Sequence, residues 1–310
     1  MRLLRRRLWQ PFAKRPLIIE CRARDDGDAE SSRADFICPA RRRRQEDERN
    51  RQIKRLSGRE HFKQGGMKMD LEKVQKLQEI VDGSSNIVFF GGAGVSTESG
   101  IPDFRSQDGL YHMKYKYPPE TIISHSFFQT NPEEFYRFYK DKMLVLDAQP
   151  NAAHKKLAEM ERAGKLRAVV TQNIDGLHQK AGSQNVYELH GSIMRNYCTR
   201  CGAFYDAEYV KNAEGIPRCS KCGGIIKPDV VLYEEGLDER ILTASITAIS
   251  EADVLIIGGT SLVVYPAAGL IDYFSGRCLV LINKGATGRE PRADLVIRDP
   301  IGEVFSRIAV

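Results

Sequence analysis

Six short apolar runs, each followed by glycine or polar residues, constrain the fold of this chain more than any other feature. The runs are Ile87–Phe90, Leu166–Val170, Val186–Leu189, Val230–Tyr233, Val254–Ile257 and Leu279–Ile282. Helical patterns lie between several of them, namely Asn151–Ala163, Asp238–Ser250 and Pro266–Phe274, and another precedes the first at Leu71–Val81. Apolar strands that alternate with helices pack into a parallel sheet covered on both faces. The sequence therefore predicts an α/β fold with a Rossmann-like, doubly wound parallel sheet.

The positive charge of the chain is confined to its first fifth. The whole chain has a net charge of +6, but residues 1–66 contain 19 basic and 10 acidic residues. Residues 67–310 contain 28 basic and 31 acidic residues and are mildly acidic. This main body lacks the basic bias typical of nucleic-acid binding. No apolar run approaches the roughly 20 residues of a membrane-spanning helix.

Residues 1–66 form a leader that differs in composition from the rest. The leader contains the run Arg41–Arg44, interleaved acids and no sustained helical or strand period, which is typical of a disordered tail. A basic nucleic-acid-binding arm and a transit peptide are alternatives, since the first residues are rich in arginine and free of acids.

The end of the leader predicts where the native chain starts. Gly65 and Gly66 precede Met67 and Met69, and a glycine pair can be encoded by a purine-rich ribosome-binding sequence that is read through as protein. We therefore expect translation to begin naturally at Met67 or Met69 and the folded domain to span residues 67–310.

A glycine-rich turn follows the first apolar run. It begins Gly92-Ala93-Gly94 and continues as VSTESGIPDFR to Arg105. Such a turn lets backbone N–H groups approach a phosphate, with the dipole of the next helix behind them. The dehydrogenase fingerprint is absent, because Thr97 replaces its third glycine and no strand ending in an acidic residue follows about 20 residues later.

Two further strand ends carry polar side chains. Residues 171–178 read TQNIDGLH, and these groups can hydrogen-bond an amide and a ribose, although Asp175 could instead cap a helix. Residues 188–191 read ELHG and place His190 at a strand end, where an imidazole with a pKa near neutrality can act as a general base. A lone histidine is more often structural. The competing histidines, none with such a strand-end glycine, are His112, His125, His154 and His178.

Two cysteine pairs have the spacing of a zinc site. Cys198, Cys201, Cys219 and Cys222 form the pattern C-x2-C-x17-C-x2-C, which fits a tetrahedral site of four thiolates. Four thiolates leave no position for water, so the predicted Zn²⁺ is structural. Disulfides are the alternative reading. Seven cysteines in 310 residues are too few for a disulfide scaffold and indicate a reducing, cytoplasmic compartment.

The remaining strand ends are weaker signals. Residues 258–262 read GGTSL after one apolar run, and Asn283 follows another. Both lie where a parallel sheet could hold the ribose and phosphate of a nucleotide. Neither is specific alone, because Gly, Thr and Ser are common at strand ends.

Together these motifs resemble those of the sirtuins, the NAD-dependent protein deacylases. The resemblance extends from about residue 69 to residue 310 and is closest to the bacterial deacetylase branch. It rests on GAGVSTESGIPDFRS at 92–106, TQNIDGLH, ELHG, the four cysteines, GTSL at 259–262 and Leu281–Asn283. It implies a smaller module inserted into the Rossmann-like sheet, with a zinc ribbon at about 195–228 and a helical segment at about 107–150.

The resemblance also implies a role for each matching residue. The catalytic residues would be His190, as the general base, and Asn173. The residues that bind NAD would be Ala93, Thr97, Phe104, Arg105, Gln172, Asn173, Ile174, Asp175, His190, Thr260, Ser261 and Asn283. The four cysteines would hold Zn²⁺, and an acetyl-lysine peptide would bind as a strand between residues 231–235 and 263–265. The implied products are free lysine, nicotinamide and O-acetyl-ADP-ribose.

Two departures from the family pattern concern the substrate. Tyr233-Glu234-Glu235 stands where many relatives read Phe-Gly-Glu. The succinyl-preferring branch carries Tyr and Arg three residues apart on the aromatic helix, predicted here at Pro132–Asp147, whereas this chain has Tyr136 and Tyr139. Since no guanidinium is placed to pair with a buried carboxylate, we expect acetyl-lysine to be preferred over succinyl-lysine.

Three alternatives to protein deacetylation stay open at this point. The same NAD site could serve mono-ADP-ribosyl transfer, or the enzyme could prefer longer acyl chains. A zinc-ribbon protein that binds nucleic acid with a basic arm is a reading of a different class. The acidic main body disfavours that last reading.

Overall fold

The computed structural model describes residues 69–103 and 116–310, all of which belong to Met67–Val310, one of the two units into which the chain divides. The strands of these residues are β1 (Ile87–Gly91), β2 (Leu166–Thr171), β3 (Val186–Glu188), β4 (Gly191–Cys198), β5 (Phe204–Asp206), β6 (Ile226–Val230), β7 (Val254–Gly258), β8 (Cys278–Ile282) and β9 (Leu295–Ile297). Six of them form a parallel sheet in the order β3-β2-β1-β7-β8-β9, and the other three form an antiparallel sheet in the order β5-β4-β6.

Helices lie between several of the strands. The α-helices of the described residues are α1 (Leu71–Asp82), α2 (Pro119–Ile122), α3 (His125–Thr130), α4 (Pro132–Phe138), α5 (Ala152–Arg162), α6 (Leu177–Ala181), α7 (Ala207–Asn212), α8 (Glu239–Glu251) and α9 (Ile301–Ser306). Their starts follow from local chemistry. The side chains of Asp70, Asn151 and Asp238 accept hydrogen bonds from the first turns of α1, α5 and α8. None of the helices in these residues combines the length and apolar character needed to cross a membrane.

The parallel sheet is covered on both faces, as the sequence predicts. Side chains such as Phe89 and Ile256 pack with α1, α5 and α9 on one face. Their strand neighbours, such as Phe90 and Ile257, pack with α8 and the 3₁₀ segment Ala267–Tyr273 on the other. Since successive residues of a strand point to opposite faces, a strand buried on both must be apolar throughout. The doubly wound α/β fold is confirmed.

The antiparallel sheet belongs to a smaller module with its own core. Aromatic side chains of α3 and α4 pack there with residues of the sheet, including Tyr205 and Ile226. Phe135 stacks on Tyr139, with ring centroids 5.6 Å apart, and Phe128 contacts Phe135 edge-on at 5.0 Å. This core lies between the helical segment and the cysteine pairs.

Three elements differ from the sequence prediction. Val230–Tyr233 is not a strand of the parallel sheet. Its first residue ends β6, whose alternating burial suits an antiparallel strand with one covered face. The helix predicted at Pro132–Asp147 stops at Phe138 and continues only as a π-helical turn, Tyr139–Met143. The helix predicted at Pro266–Phe274 is 3₁₀-helical over Ala267–Tyr273.

Candidate active site

The strand ends that carry the predicted motifs meet at one edge of the parallel sheet. Gly91, the last residue of β1, pairs with Thr171 of β2 on one side and with Gly258 of β7 on the other. Gly258 in turn pairs with Ile282 of β8. The segments that begin at Gly92, Gln172, Gly259 and Asn283 therefore leave the sheet side by side. In an open α/β sheet this carboxyl edge is where ligands bind.

The glycine turns after β1 and β7 pack backbone against backbone. The Gly94 N–H donates to the carbonyl of Gly259 at 2.8 Å. A Cβ at Gly94 would lie 2.9 Å from the Cα of Gly259, and one at Gly92 would lie 2.8 Å from the Cβ of Thr260. Gly259 also has a φ of 59°, a conformation that favours glycine. Glycine is therefore required to form this cradle.

The chain after the first glycine turn is not the α-helix that the sequence predicts behind the loop. It forms two 3₁₀ turns, Ala93–Val95 and Thr97–Ser99, and a left-handed Gly100 ends the second. Ala93 is half-buried, whereas Thr97 is exposed and donates its hydroxyl to the carbonyl of Gly94 at 3.0 Å. Phe104 and Arg105 lie outside the described residues, as does His112.

A buried polar network joins the first glycine turn to the segment 171–175 at the end of β2, the TQNID loop. The Ser96 hydroxyl donates to Asp175 Oδ2 at 2.6 Å and accepts from Asn173 Nδ2 at 3.1 Å. Asp175 also accepts the N–H of Leu177 on its other oxygen at 2.9 Å. The carboxylate is not the N-cap of α6, which is Gly176, but it joins the first residue of that helix to the hydroxyl of Ser96 in the first glycine turn.

Two other residues of the TQNID loop, Gln172 and Ile174, contact the glycine turn after β7 and the smaller module. Gln172 Nε2 donates to Thr260 Oγ1 at 3.0 Å, and the buried Thr260 oxygen also accepts the N–H of Leu262 at 3.2 Å. The carbonyl of Ile174 accepts the N–H of Ile193 in β4 at 2.9 Å. The loop is therefore fixed from both sides.

His190 lies between the two sheets. Its Nδ1 is 3.0 Å from the carbonyl of Gln172, and since a carbonyl only accepts, Nδ1 carries the proton and Nε2 is left as the basic nitrogen. Gly191 has a φ of 72°, and a Cβ there would lie 2.0 Å from the carbonyl of Asp229, so only glycine fits beside the histidine. Burial lowers the pKa of His190, and the Gln172 carbonyl opposes that shift by favouring the protonated form.

The three competing histidines among the described residues occupy structural positions. His154 is fully buried, with Nε2 at 3.4 Å from Ser96 Oγ and Nδ1 accepting from the N–H of Asn151 at 3.3 Å. Burial lowers the pKa of His154 to about 4, against an opposing effect of Asp175, and lowers that of the buried His178 well below its usual value. His125 pairs with Glu235 at 2.8 Å in the smaller module. Sequence reasoning missed Ser96 and His154 as members of the polar network.

The other two predicted cofactor residues follow β7 and β8. Ser261 is half-buried directly after Thr260. Asn283 donates through Nδ2 to the carbonyl of Gly285 at 2.9 Å, and its backbone N–H donates to Ile297 of β9 at 3.0 Å. Both residues therefore lie at the carboxyl edge of the sheet.

The four cysteines of the smaller module form one cluster. The Sγ atoms of Cys198, Cys201, Cys219 and Cys222 all lie within 4.8 Å of one another. The Sγ atoms of Cys198 and Cys222 are 3.4 Å apart and those of Cys201 and Cys219 are 3.6 Å apart, and none of the four cysteines is joined in a disulfide. Zn–S bonds of about 2.3 Å in a tetrahedron place sulfurs about 3.8 Å apart, and the cluster fits this geometry.

Comparison with known proteins gives one consistent family. The sequence model of the Sir2 family matches residues 92–266. An NAD-dependent protein deacetylase of Clostridium acetobutylicum is 64% identical over 241 residues, which are 77% of this chain and 98% of the relative. The enzyme of the same name from Clostridium perfringens is 60% identical over 240 residues, 76% of this chain and 98% of the relative.

Solved structures agree with these relatives. A Sir2 structure with a deacetylated p53 peptide and 3′-O-acetyl-ADP-ribose is 40% identical and superposes with a TM-score of 0.71, covering 76% of this chain and 96% of the other. A Sir2 structure with a p53 peptide and NAD⁺ is also 40% identical, with a TM-score of 0.67 over 78% and 97% of the two chains.

Proposed function

Because the chain belongs to the Sir2 family, we propose that it is an NAD-dependent protein-lysine deacetylase that transfers the acetyl group of acetyl-lysine to ADP-ribose. The products are the free lysine, nicotinamide and O-acetyl-ADP-ribose. One observation carries the proposal. The carboxyl edge of the doubly wound sheet brings together the glycine turns after β1 and β7 and the side chains of Asn173, Asp175 and His190. Glycine turns approach phosphates there, and polar side chains are available for an amide and a ribose.

The residues at this edge fit NAD. We place Ala93, Thr97 and the glycine cradle beside the phosphates, and Gln172 and Asn173 beside the nicotinamide ribose. Ile174 and Asp175 hold the nicotinamide amide, while Thr260, Ser261 and Asn283 hold the adenosine half. Phe104 and Arg105 are assigned to NAD on the sequence motif alone. Bound NAD supplies a ribose carbon that becomes electrophilic as nicotinamide leaves.

The chain's own residues position the cofactor and remove a proton from one of its ribose hydroxyls. Asn173 and Asp175 are held in place by the Ser96 hydroxyl, so they present fixed groups to the cofactor instead of mobile ones. His190 takes a proton from a ribose hydroxyl through Nε2, since Nδ1 is committed to the Gln172 carbonyl. A neutral imidazole suffices for that step.

The pH dependence of the reaction follows from the environment of His190. A general base works only when unprotonated, and burial lowers the pKa of this imidazole from its ordinary 6.5. We therefore expect kcat/KM to rise with pH on an acid limb whose midpoint lies below 6.5. Steady-state rates between about pH 5 and pH 9, with thermal unfolding measured at each pH, test this. A midpoint above the ordinary value in folded enzyme would contradict it.

We place the substrate peptide as a strand between residues 231–235 and 263–265. The aromatic helix supports an acetyl preference. The Tyr136 hydroxyl donates to the carbonyl of Ile226, and both Tyr136 and Tyr139 are buried in the core of the smaller module. A succinyl group would bring a carboxylate into such surroundings, which costs several kcal/mol unless a cation pairs with it.

We assign the four-cysteine cluster to one structural Zn²⁺ and place the enzyme in the cytoplasm. The donor set and the sulfur distances support the metal. The use of cysteine as free thiols supports a reducing compartment.

We also propose that residues 67–310 form the catalytic domain and that residues 1–66 are not needed for activity. A chain that starts at Met69 is expected to keep the full kcat and KM and to be more soluble, because the +9 leader carries no motif of the site. Side-by-side kinetics and sedimentation of the shortened and full chains measure this. A loss of activity on shortening, or a native protein whose intact mass includes residue 1, would refute it.

The proposed function is tested with one peptide that carries an acetyl, a succinyl or a longer acyl group, with and without NAD. NAD-dependent release of the acetyl group, at a kcat/KM more than about tenfold above that for succinyl, is expected. Transfer of label from NAD to protein without deacylation would favour the mono-ADP-ribosyltransferase alternative. Preference for the longer group would favour the long-chain alternative.

A further inference from the structure

We propose that Arg195, through its ion pair with Glu188, is a positioning residue that fixes the strand end of His190 against the loop of Asn173 and Asp175. The proposal rests on the deacetylase function proposed above. Neither side chain is assigned a contact with NAD or peptide. The argument starts from an irregularity in β4.

The pairing of strand β4 with β6 is interrupted. Ser192 pairs with Asp229 of β6, but the next paired residue, Asn196, faces Pro228, so the three residues in between have no partner on β6. Proline has no N–H to donate, which suits a bulge. Arg195 pairs instead with Asp206 of β5, and the interruption frees the backbone of Ile193 and the side chain of Arg195 to contact other elements.

The freed residues contact the two segments that carry the proposed catalytic groups. The N–H of Ile193 donates to the carbonyl of Ile174, in the TQNID loop, at 2.9 Å. The guanidinium of Arg195 pairs with Glu188, two residues before His190, with Nη1 and Oε2 2.8 Å apart. The bulge therefore links the loop and the histidine strand.

Glu188 extends the link to a third element. Its other carboxylate oxygen accepts from Gln179 Nε2 at 2.8 Å, and Gln179 lies in α6, directly after the TQNID loop. One carboxylate thus connects β3, β4 and α6. Arg195 also pairs with Asp229 at 2.8 Å, across the interrupted ladder.

Burial indicates which of the two ion pairs matters. The Glu188 side chain is 10% exposed, whereas that of Asp229 is 43% exposed. Water and salt screen the outer pair more strongly than the inner one. We therefore expect Glu188 to be the partner through which Arg195 acts.

The position of His190 explains why this link affects the rate. On its C-terminal side the main chain is held by β6, because Gly191 pairs with Val230 and the N–H of Val231 donates to the carbonyl of His190 at 3.0 Å. On its N-terminal side the short β3 ends at Glu188. The N–H of Leu189 donates to the carbonyl of Thr171 at 2.9 Å, so the main chain is held on both sides of His190, and the Arg195 pair adds a side-chain link from the end of β3 to β4. A small displacement of a general base lowers the rate while leaving affinity intact.

The test compares Arg195→Met, Glu188→Gln, their combination and Asp229→Asn in the full chain. Arg195→Met and Glu188→Gln are each expected to lower kcat about tenfold, with KM for NAD and for acetyl-peptide within about twofold. The combination should be no worse than either change alone, as expected for two residues that act as a pair. Asp229→Asn should stay within about twofold of the wild type.

A matched control is Arg277→Met, which removes an arginine paired with Asp253 (Nε to Oδ2 3.4 Å) just before β8, at the amino edge of the parallel sheet. Its kcat should be unchanged. Hydrogen exchange supplies a readout independent of activity. Amides of residues 188–196 should exchange faster in Arg195→Met than in Arg277→Met.

Each outcome is decisive. A folded Arg195→Met enzyme with wild-type kcat, a rise in KM at constant kcat, or additive effects of the two changes would overturn the positioning role. If the wild type itself failed to deacetylate, the proposed function would fall. Unchanged exchange in residues 188–196 would then overturn the positioning role separately, and faster exchange would support it.

Discussion

Replacing His190 by alanine is expected to lower kcat for NAD-dependent deacetylation by at least about 100-fold, since general-base catalysis contributes roughly 10²–10⁴-fold. The imidazole is oriented by its bond to the Gln172 carbonyl, which leaves Nε2 available. Removing the ring takes away the proposed general base. The backbone that surrounds it is held by Gly191, Val230 and Val231, so the fold should persist. His190→Tyr is expected to be equally inactive, because a phenol with a pKa near 10 is not a base at neutral pH.

Steady-state kinetics on an acetyl-peptide measure this effect. The controls are thermal unfolding, zinc content and affinity for ADP-ribose, all of which should match the wild type. A folded variant that kept more than a few per cent of the activity would assign the base to another group. The polar network around Ser96 would then be the next place to look.

The parallel sheet is the part of the fold that sequence alone predicts best. A strand covered on both faces must be apolar at every position, and the runs Ile87–Phe90, Val254–Ile257 and Leu279–Ile282 have that property. The short β9 was not predicted, because three residues carry too little pattern. Val230–Tyr233 was wrongly predicted as a strand of the parallel sheet, because Val230 and Leu232 of this run are buried in the core of the smaller module instead.

Contacts between distant residues explain what the sequence could not predict at the site. Ser96 and Asp175 are 79 positions apart, yet their side chains are 2.6 Å apart. Nothing in the local pattern of either indicates that pairing. Strand-end positions, in contrast, could be predicted to meet, because register aligns the carboxyl ends of β1, β2, β7 and β8. The residues were therefore predictable as a set, and their mutual hydrogen bonds were not.

The interruption of β4 shows the same limit. Nothing in the sequence from Gly191 to Cys198 distinguishes a regular strand from one in which three residues have no partner on β6. The irregularity arises because the strand must follow β6 and also contact Ile174 and Glu188. Such a requirement is set by tertiary structure, which overrides local preference.

Replacing Cys219 by serine is expected to remove the metal and to destabilise the smaller module severely. The Cys219 and Cys198 side chains are buried in the core of that module, and the Tyr205 hydroxyl donates to Cys219 Sγ at 3.1 Å. A Cβ at Gly224 would lie 2.8 Å from Cys198 Sγ, so glycine lets the chain close around the cluster. Structural zinc contributes on the order of 10 kcal/mol to the folding of small zinc domains, so losing a ligand should greatly weaken this core.

Metal analysis and thermal unfolding of the variant, beside Cys278→Ser, measure the effect. Cys278 is a free, buried cysteine at the start of β8, outside the cluster, and controls for loss of a buried thiol. We expect about one zinc per chain in the wild type and in Cys278→Ser, and far less in Cys219→Ser. The Tm of Cys219→Ser should fall by more than about 10 °C. Activity should fall with it, because β4 and β6 leave this module to hold Gly191 and the backbone of His190. Zinc retained after Cys198 and Cys219 are both changed to serine, or absent from the purified wild type, would show that the cluster holds no structural metal.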